Sequence, residues 1–395
     1  MGSLSDSTHP LSSEVVPTSL HYSASVHLGF LDGVRGLAAG YVVLHHVMLN
    51  VPRSPNAPGW ERALRLATGY GHYAVDLFIV LSGYCLMLPV LRSPRQFDSA
   101  RFLIRRAARI LPPYYAAMLF SWALILSFIG HPSGTHWDVS IPVSARDIVY
   151  HSLLIHDLSE ASAPKINHAH WSVAVEWKLY FLFPLLLIAK KRFGAVVTVV
   201  AATVSSYVLW LVLRRYSLFN PSPWGSSVYY LGLFAFGMLA ADLAEPQARS
   251  FSPTFRRNIN VGVALLSLVV VALSSRYFGR LGDLPLQVVS AGVGAWSAVL
   301  LVSLRVRSLP RWLSTTFSNP ASEWIGRRSF SLYLTHAPIL ELVYRCLAAA
   351  RVTGASLILL MLGLATPAAV LISAAFYRLV ELPSHQLSRR VTAGA

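Results

Sequence analysis

The feature that most constrains this chain is a series of long apolar runs separated by short polar segments. A hydrocarbon core about 30 Å thick needs about 20 apolar residues to be crossed by an α-helix. Ten runs of this kind begin near Phe30, His72, Pro113, Trp171, Ala195, Ser227, Ile259, Leu286, Ser329 and Ser356. The sequence therefore predicts an all-α, polytopic membrane helix bundle with about ten transmembrane helices. A shorter apolar segment, residues 148–155, is predicted to be a re-entrant or surface piece.

Composition agrees with a protein whose solvent is the lipid bilayer. Hydrophobic residues make up 54% of the 395 positions and charged residues only 13%, and the mean hydropathy is +0.53. The formal net charge is +16, but the basic residues lie in short clusters between apolar runs and not along one face, so we expect no nucleic-acid partner. The cysteines, Cys85 and Cys346, stand far apart in apolar runs and predict neither a disulfide framework nor a metal site.

The distribution of lysine and arginine predicts the topology. Residues 1–29 are polar and serine-rich and lack lysine and arginine, which predicts a flexible cytoplasmic tail and not a cleaved signal peptide. The membrane domain is predicted over residues 30–380, followed by a cytoplasmic tail over residues 381–395. If ten spans alternate, the inner loops hold nearly twice as many basic residues as the outer loops. We therefore expect a multi-pass cell-membrane protein with a cytoplasmic N-terminus.

The first apolar run carries ionisable side chains that a membrane helix normally excludes. A charge in mid-span costs about 2.5–3.5 kcal/mol on the most lenient scale, so such residues are candidates for function. Arg35 and His46 are eleven residues apart, close to three helical turns, which places them on one face about 16 Å apart, while His45 faces elsewhere. Asp32 is the expected i, i+3 partner of Arg35. The alternative is that Arg35 anchors the helix at the surface and His46 bonds a neighbouring helix.

This run and four later segments resemble the acyltransferase-3 family of integral membrane acyltransferases. The family's hallmark is an arginine, ten residues and then a histidine, and counting from Arg35 selects His46. The matching segments, in order, are "FLDGVRGLAAGYVVLHH", "GHYAVDLFIVLSGYCL", "FLIRRAARILPPYY", "HWSVAVEWKLYFLFPLLL" and "SFSLYLTHAPI". Trp177 stands where relatives commonly have a second carboxylate, which puts any paired-carboxylate role in doubt. We expect a stand-alone member without an appended esterase-like domain.

The resemblance implies acyl transfer from a cytoplasmic acyl-CoA, usually acetyl-CoA, to a hydroxyl of a carbohydrate or a small natural product. Neutral imidazole suits the removal of a hydroxyl proton near pH 7, so His46 is the predicted general base. A covalent acetyl-imidazole intermediate is an equally open route. The basic segment "RFLIRRAARILPP" supplies Arg105, Arg106 and Arg109, which we expect to bind the donor phosphates together with Arg35. Attraction to anionic lipid is the alternative for these arginines.

Two carboxylates within predicted spans are further catalytic candidates. Asp76 could orient the imidazole of His46 or form a structural ion pair. Glu176 enters from the outer side and could hold the acceptor hydroxyl or polarise His46. On a helix, Tyr180 at i+4 is its same-face partner.

Three other polar residues are predicted to bind substrate. His336 and Tyr333 share a helix face and should point into the bundle, where an interhelical hydrogen bond is the alternative role. Ser82 could donate to a carbonyl oxygen, or bond back to its own helix. His168 and His170 lack a third ligand at a recognised spacing, so no metal is predicted.

The principal rival function is a secondary transporter or proton relay, because buried histidine, glutamate and arginine also mark ion pathways. The sequence shows no internal repeat of the kind many transporters have. Transfer chemistry is therefore favoured.

Overall fold

The computed structural model describes residues 28–53, 55–93, 96–216, 229–245, 251–274 and 286–391. Within these ranges the chain forms helices and turns, with no strand. The predicted all-α bundle is confirmed. Most of the predicted N-terminal tail, the end of the C-terminal tail and the expected start of a span at Ser227 lie outside the described residues.

The described chain contains α-helices that we number in chain order. They are α1 (Gly29–Asn50), α2 (Gly59–Thr68), α3 (Gly71–Arg92), α4 (Ser99–Leu124), α5 (Ala145–Ser152), α6 (Trp171–Phe193), α7 (Ala195–Tyr216), α8 (Tyr230–Ala244), α9 (Pro253–Ser274), α10 (Leu286–Arg305), α11 (Arg311–Thr316), α12 (Pro320–Gly326), α13 (Ser329–Ala349), α14 (Gly354–Leu360), α15 (Thr366–Phe376) and α16 (Leu382–Arg390). Single π-helical turns extend α4 and join α14, α15 and α16; they are Ile125–Ile129, Met361–Ala365 and Tyr377–Glu381. Two 3-10 helices, His136–Ser140 and His156–Leu158, lie between α4 and α6.

Seven helical segments of the described chain are long and apolar enough to cross a membrane. They are Gly59–Arg92, Ser99–Ile129, Trp171–Phe193, Ala195–Leu213, Pro253–Ala272, Val288–Arg305 and Gly354–Arg390. Helices α1 and α13 have spanning length, with 22 and 21 residues, but are not among the seven, and polar side chains lower the hydropathy of both. Helix α8 is apolar but has only 15 residues. The multi-pass architecture is confirmed, whereas the count of ten spans stays a prediction.

Close helix packing at glycines holds the centre of the bundle together. A Cβ atom on Gly83 of α3 would overlap the carbonyl of Phe234 on α8, and one on Gly237 of α8 would overlap the carbonyl of Val80. Helix α1 approaches α12 in the same way, because a Cβ on Gly326 would overlap the carbonyl of Asp32. Small residues allow this backbone proximity, which is typical of membrane helix interfaces.

Apolar side chains cover the outside of the bundle, and polar side chains lie in its interior. Helices α7, α9 and α15 expose rows of valine and leucine, for example Val200, Val204 and Leu268. Most of α13 is buried, including Thr335 and His336, and α13 packs against α1, α4 and α15. The polar residues of α1 and α13 therefore lie inside a shell of lipid-compatible helices.

The segment between α4 and α6 contains only short helices, and it bonds to side chains of α4 and α6. Helix α5 has eight residues, about 12 Å at 1.5 Å per residue. Val149 in this helix and Leu153 directly after it are exposed. This agrees with the prediction that residues 148–155 do not span.

Candidate active site

Four histidines from four separate segments meet at one end of α1, and we call His46, His136, His168 and His336 the histidine cluster. The ring centroid of His46 lies 4.9 Å from that of His168, 4.9 Å from that of His336 and 6.2 Å from that of His136. The rings of His136 and His168 are 4.6 Å apart. His336 and His168 are buried, and His46 and His136 are half-buried.

Hydrogen bonds to backbone carbonyls determine which nitrogen of His46 keeps a lone pair. Nδ1 of His336 lies 3.0 Å and 2.9 Å from the carbonyl oxygens of Leu332 and Tyr333; a carbonyl only accepts, so this nitrogen carries the proton and Nε2 carries a lone pair. Nε2 of His336 lies 3.1 Å from Nδ1 of His46, which also lies 3.0 Å from the carbonyl of Val42. His46 therefore donates through Nδ1, and its Nε2 keeps the lone pair that a base needs.

A proline in α13 attaches the 131–170 segment to the bundle. Pro338 has no N–H, so it leaves the carbonyl of Leu334, four residues earlier, without its helical donor. Nδ2 of Asn167 and Nε2 of His170 donate to that oxygen instead, each over 3.1 Å. The turn that carries His168 is thereby tied to the helix that carries the fourth histidine of the cluster.

Further polar contacts fix the two histidines that come from the loop. Oγ1 of Thr135 donates to Glu341 of α13 over 2.8 Å, which places the 3-10 helix that begins at His136. Ser140, at the end of that 3-10 helix, lies 3.1 Å from Nδ1 of His168. Burial lowers the pKa of His168 well below its usual range, and the neighbouring His136 and His336 lower that pKa further. Burial also lowers the pKa of His136. Both loop imidazoles are therefore neutral near pH 7.

His45 has a different partner, as its position on the helix predicts. Its Nδ1 donates to the carbonyl of Thr68 over 2.7 Å. A Cβ on Gly71 would overlap the His45 ring, so α3 begins directly against it. Of the two adjacent histidines, only His46 bonds another histidine of the cluster among the described residues.

The other end of α1 carries a positive group of side chains. Nη1 of Arg35 pairs with Asp32 over 3.0 Å, which confirms the predicted i, i+3 contact, and Nη2 lies 2.9 Å from Sγ of Cys85. Arg106 of α4 lies over the rings of Phe102 and Tyr180, with centroid distances of 5.5 Å and 5.8 Å.

His385 of α16 is the point where several cations converge. It lies close enough to Arg109, Arg389, Arg106 and Arg35 for each to act on it electrostatically. We call these four residues the arginine cluster. Arg105 is not one of these four; it is solvent-exposed, as Arg109 and Arg389 are, and its backbone carbonyl accepts from Ser388 over 2.9 Å. The structure thus brings together Arg35, Arg106 and Arg109 of the predicted phosphate group and adds Arg389, which sequence analysis missed.

Polar side chains of α3, α6 and α13 lie between the two clusters. Glu176 and Ser82 lie beside the hydroxyl of Tyr180, as the i, i+4 spacing of Glu176 and Tyr180 predicts. Glu176 also acts electrostatically on Arg35 and Arg106 at one end and on Tyr333 at the other.

Tyr333 connects this intermediate group to the histidine cluster. Oγ of Ser172 donates to its hydroxyl over 2.7 Å, and its ring lies 5.9 Å from that of His336. A series of polar side chains therefore lies between the arginine cluster and the histidine cluster.

Asp76 lies in a different polar group, on the side of α3 that faces α8 and α10. It is fully buried, with Ser290 of α10 beside it and Nε2 of His72 at 3.9 Å. His72 lies 3.4 Å from the hydroxyl of Tyr229 and 3.3 Å from that of Tyr230. The catalytic role of Asp76 stays a prediction, and its nearest ionisable partner is His72.

Sequence analysis missed the contribution of His136 and undervalued that of His168. Ligand spacing did not connect them, because His46, His136 and His168 are separated by long stretches of chain. A compositional signal was present, since six of the 14 histidines fall within residues 131–170. In the described residues, nitrogens of His46, His136 and His168 all lie within 4.8 Å of one another.

Comparison with known proteins assigns the chain to a family. A family model described as an acyltransferase domain matches residues 28–378. The chain belongs to the acyltransferase-3 family. The match covers the histidine cluster, the polar residues between the clusters, and Arg35, Arg106 and Arg109 of the arginine cluster. It confirms the resemblance noted in the five sequence segments.

Relatives in this family carry names that refer to O-acetyl transfer. YrhL of Bacillus subtilis, named as a candidate peptidoglycan O-acetyltransferase, is 25% identical over 79% of this chain and 48% of its own length. A protein of Staphylococcus aureus strain COL, named as a candidate O-acetyltransferase, is 24% identical over 82% of this chain and 52% of its own. Peptidoglycan O-acetyltransferase OatA of Listeria monocytogenes is 23% identical over 79% and 49%. The chain spans about half the length of these relatives. No solved structure matches it.

Proposed function

We propose that this chain is a membrane O-acyltransferase that moves an acetyl group from cytoplasmic acetyl-CoA to a carbohydrate hydroxyl. The observation that carries the proposal is the arrangement of one helix, α1, which presents Arg35 in a cluster of cations and His46 in a cluster of neutral imidazoles. Membership of the acyltransferase family and the names of the relatives support the reaction class.

The arginine cluster is the proposed binding site for the donor. Coenzyme A carries phosphates, and guanidinium groups bind phosphate through paired, charge-assisted hydrogen bonds. Arg35, Arg106 and Arg109 all act electrostatically on His385, which supports a shared site for one anion. The extended pantetheine arm of coenzyme A can then follow the polar series toward His46, about 16 Å along α1.

His46 is the proposed general base. Its Nε2 takes the proton of the acceptor hydroxyl while the hydroxyl oxygen attacks the thioester carbonyl. The tetrahedral adduct collapses with cleavage of the C–S bond, and the protonated imidazole returns its proton to the departing thiolate. Transfer through an acyl-imidazole would use the same nitrogen.

His336 is a positioning residue in this scheme, because it accepts the Nδ1 proton of His46 and keeps Nε2 as the basic nitrogen. Tyr333 and Ser82 are the proposed hydroxyl groups that contact substrate, and Glu176 is the proposed carboxylate that holds the acceptor hydroxyl. The names of the relatives make peptidoglycan the first acceptor to test. The N-terminus is assigned to the cytoplasm by the excess of basic residues in the inner loops.

Mass spectrometry of cell-envelope glycans and small metabolites tests the proposal. Cells that express the chain should contain a glycan whose mass is increased by one acetyl group, and cells that express His46→Ala should lack it. If an acetylated small metabolite is found in place of an acetylated glycan, the acceptor is that metabolite and not a glycan. The absence of any acylated product in cells that contain the folded protein would refute the function.

A further inference from the structure

The histidine cluster has the composition of a transition-metal site. His46, His136 and His168 each offer one ring nitrogen, and these nitrogens lie within 4.8 Å of one another. His168 is only 6% exposed, yet its Nε2 has no hydrogen-bond partner in the part of the chain that the structure describes. A buried nitrogen without a partner normally costs free energy, and a metal ion at this point would satisfy it. We propose that these three histidines bind one divalent transition-metal ion of the Zn²⁺ class.

The distances and the hydrogen bonds fit such an ion. Zinc binds histidine nitrogen at about 2.0–2.1 Å, so two nitrogens of a tetrahedral site lie about 3.4 Å apart, and the three imidazoles need to close by no more than about 1.4 Å. Three histidines with an open fourth position are a known ligand set for zinc. Imidazole ligands favour zinc, copper and nickel over magnesium and calcium.

In two of the three histidines, His46 and His168, the other ring nitrogen already has the partner that a metal-bound histidine requires. A coordinating histidine usually donates its second N–H to a carbonyl or another acceptor, which fixes the ring. Nδ1 of His46 lies 3.0 Å from the carbonyl of Val42, and Nδ1 of His168 lies 3.1 Å from Oγ of Ser140. Both rings are therefore held with Nε2 available, before any ion binds.

The consequence of metal binding rests on the proposed function. A metal ion takes the Nε2 lone pair of His46, so this nitrogen can no longer accept the proton of an acceptor hydroxyl. Zn²⁺ should therefore inhibit acyl transfer reversibly, and a chelator should restore it.

Metal binding is measured without reference to activity, on the full chain purified in detergent. Equilibrium dialysis with Zn²⁺ should give one ion per chain, and Co²⁺ should give the visible spectrum of a tetrahedral site. His136→Gln and His168→Gln should each raise the dissociation constant at least tenfold, whereas His131→Gln, at an exposed position of the same loop, should not change it. His136 is half-buried, so its variant is the safer of the two for folding. Failure of Zn²⁺ to bind stoichiometrically, or equal binding by all three variants, would overturn the metal site.

Activity measurements separate this inference from the proposed function. Zn²⁺ should inhibit acyl transfer over the concentration range in which it binds, and His136→Gln should need at least tenfold more Zn²⁺ for the same inhibition. If Zn²⁺ binds through these histidines and transfer continues at full rate, the assignment of His46 as the base fails and the metal site stands. If transfer occurs and no Zn²⁺ binds, the metal site fails and the proposed function stands.

Discussion

The two ends of helix α1 show two ways of keeping polar groups inside an apolar bundle. At the arginine cluster, charged groups are retained: Arg35 pairs with Asp32 and contacts Cys85, and Arg106 stacks on aromatic rings. At the histidine cluster, the loop imidazoles are neutral and His168 lies beside Ser140, while His46 and His336 bond each other and backbone carbonyls. The difference fits the two tasks of the proposed transfer, since a phosphate is bound by fixed positive charge and a proton is accepted by a neutral base.

The two clusters also differ in how the chain builds them. The arginine cluster comes from helices α1, α4 and α16, whose basic residues are visible as short charge groups in the sequence. The histidine cluster needs an irregular loop to bring His136 and His168 against α1 and α13. Substitutions at the first should therefore change donor binding, and substitutions at the second should change the rate of chemistry.

The largest effect is expected for His46→Ala, which removes the base. Loss of a general base typically lowers the rate by a factor of about 10²–10⁴, so kcat should fall by that factor while the protein remains extractable as a monodisperse species. Initial rates of acetyl transfer give the measurement. His45→Gln is the matched comparison, since His45 bonds only the carbonyl of Thr68 among the hydrogen bonds described. A similar loss in both variants would mean that local helix packing, and not proton transfer, was disturbed.

Arg106→Gln tests the role of the arginine cluster in donor binding. Loss of one charge-assisted hydrogen bond should raise KM for acetyl-CoA about tenfold or more, with a smaller change in kcat. Arg192→Gln provides the control, because Arg192 stacks on Phe193 outside the arginine cluster. Saturation curves for acetyl-CoA measure both constants. An unchanged KM in Arg106→Gln would remove the donor-phosphate role.

His336→Phe keeps a ring of similar shape but removes the acceptor for the Nδ1 proton of His46. We expect kcat to fall about tenfold with little change in either KM, because the ring orients the base and does not bind donor. His336→Gln, which retains an acceptor, should recover part of the rate. Equal rates for the two variants would show that the hydrogen bond to His46 does not matter.

The smallest effect is expected for Asn167→Ala. This change removes the donor to Leu334 and Ser121, at a cost of about 1–3 kcal/mol for the buried groups left without a partner, but His170 still holds the Leu334 carbonyl. Limited proteolysis within residues 131–170 should become several-fold faster, and kcat should fall less than in the His336 variants. If proteolysis is unchanged, the bond from Asn167 to the Leu334 carbonyl does not anchor the loop.

Much of the scaffold could be predicted from the sequence, because hydrophobic run length directly reflects membrane thickness. Local pairs within one helix were also predictable: Asp32 with Arg35, and Glu176 with Tyr180, follow from helical spacing alone. The loop histidines could not be predicted in this way. His136 and His168 reach His46 only because Thr135 bonds Glu341, and because a proline in a distant helix leaves the carbonyl of Leu334 for Asn167 and His170.

Asp76 shows that helical spacing does not predict which neighbouring helix a residue faces. Its position near the start of a span suggested an interaction with His46. In the structure it lies on the face of α3 toward α8 and α10, where His72 and Ser290 are its neighbours. Helical spacing predicts which residues share a face, whereas the direction of that face depends on tertiary packing. Close packing at Gly83 and Gly237 fixes that direction here.

We propose that a donor bound at the arginine cluster loses its acyl group at His46. The most direct test uses the full chain in proteoliposomes, with radiolabelled acetyl-CoA on the face of the arginine cluster and peptidoglycan fragments on the opposite face. We expect labelled fragments with the unaltered chain and a loss of label by a factor of about 10² or more with His46→Ala. Equal labelling by the two proteins would contradict it.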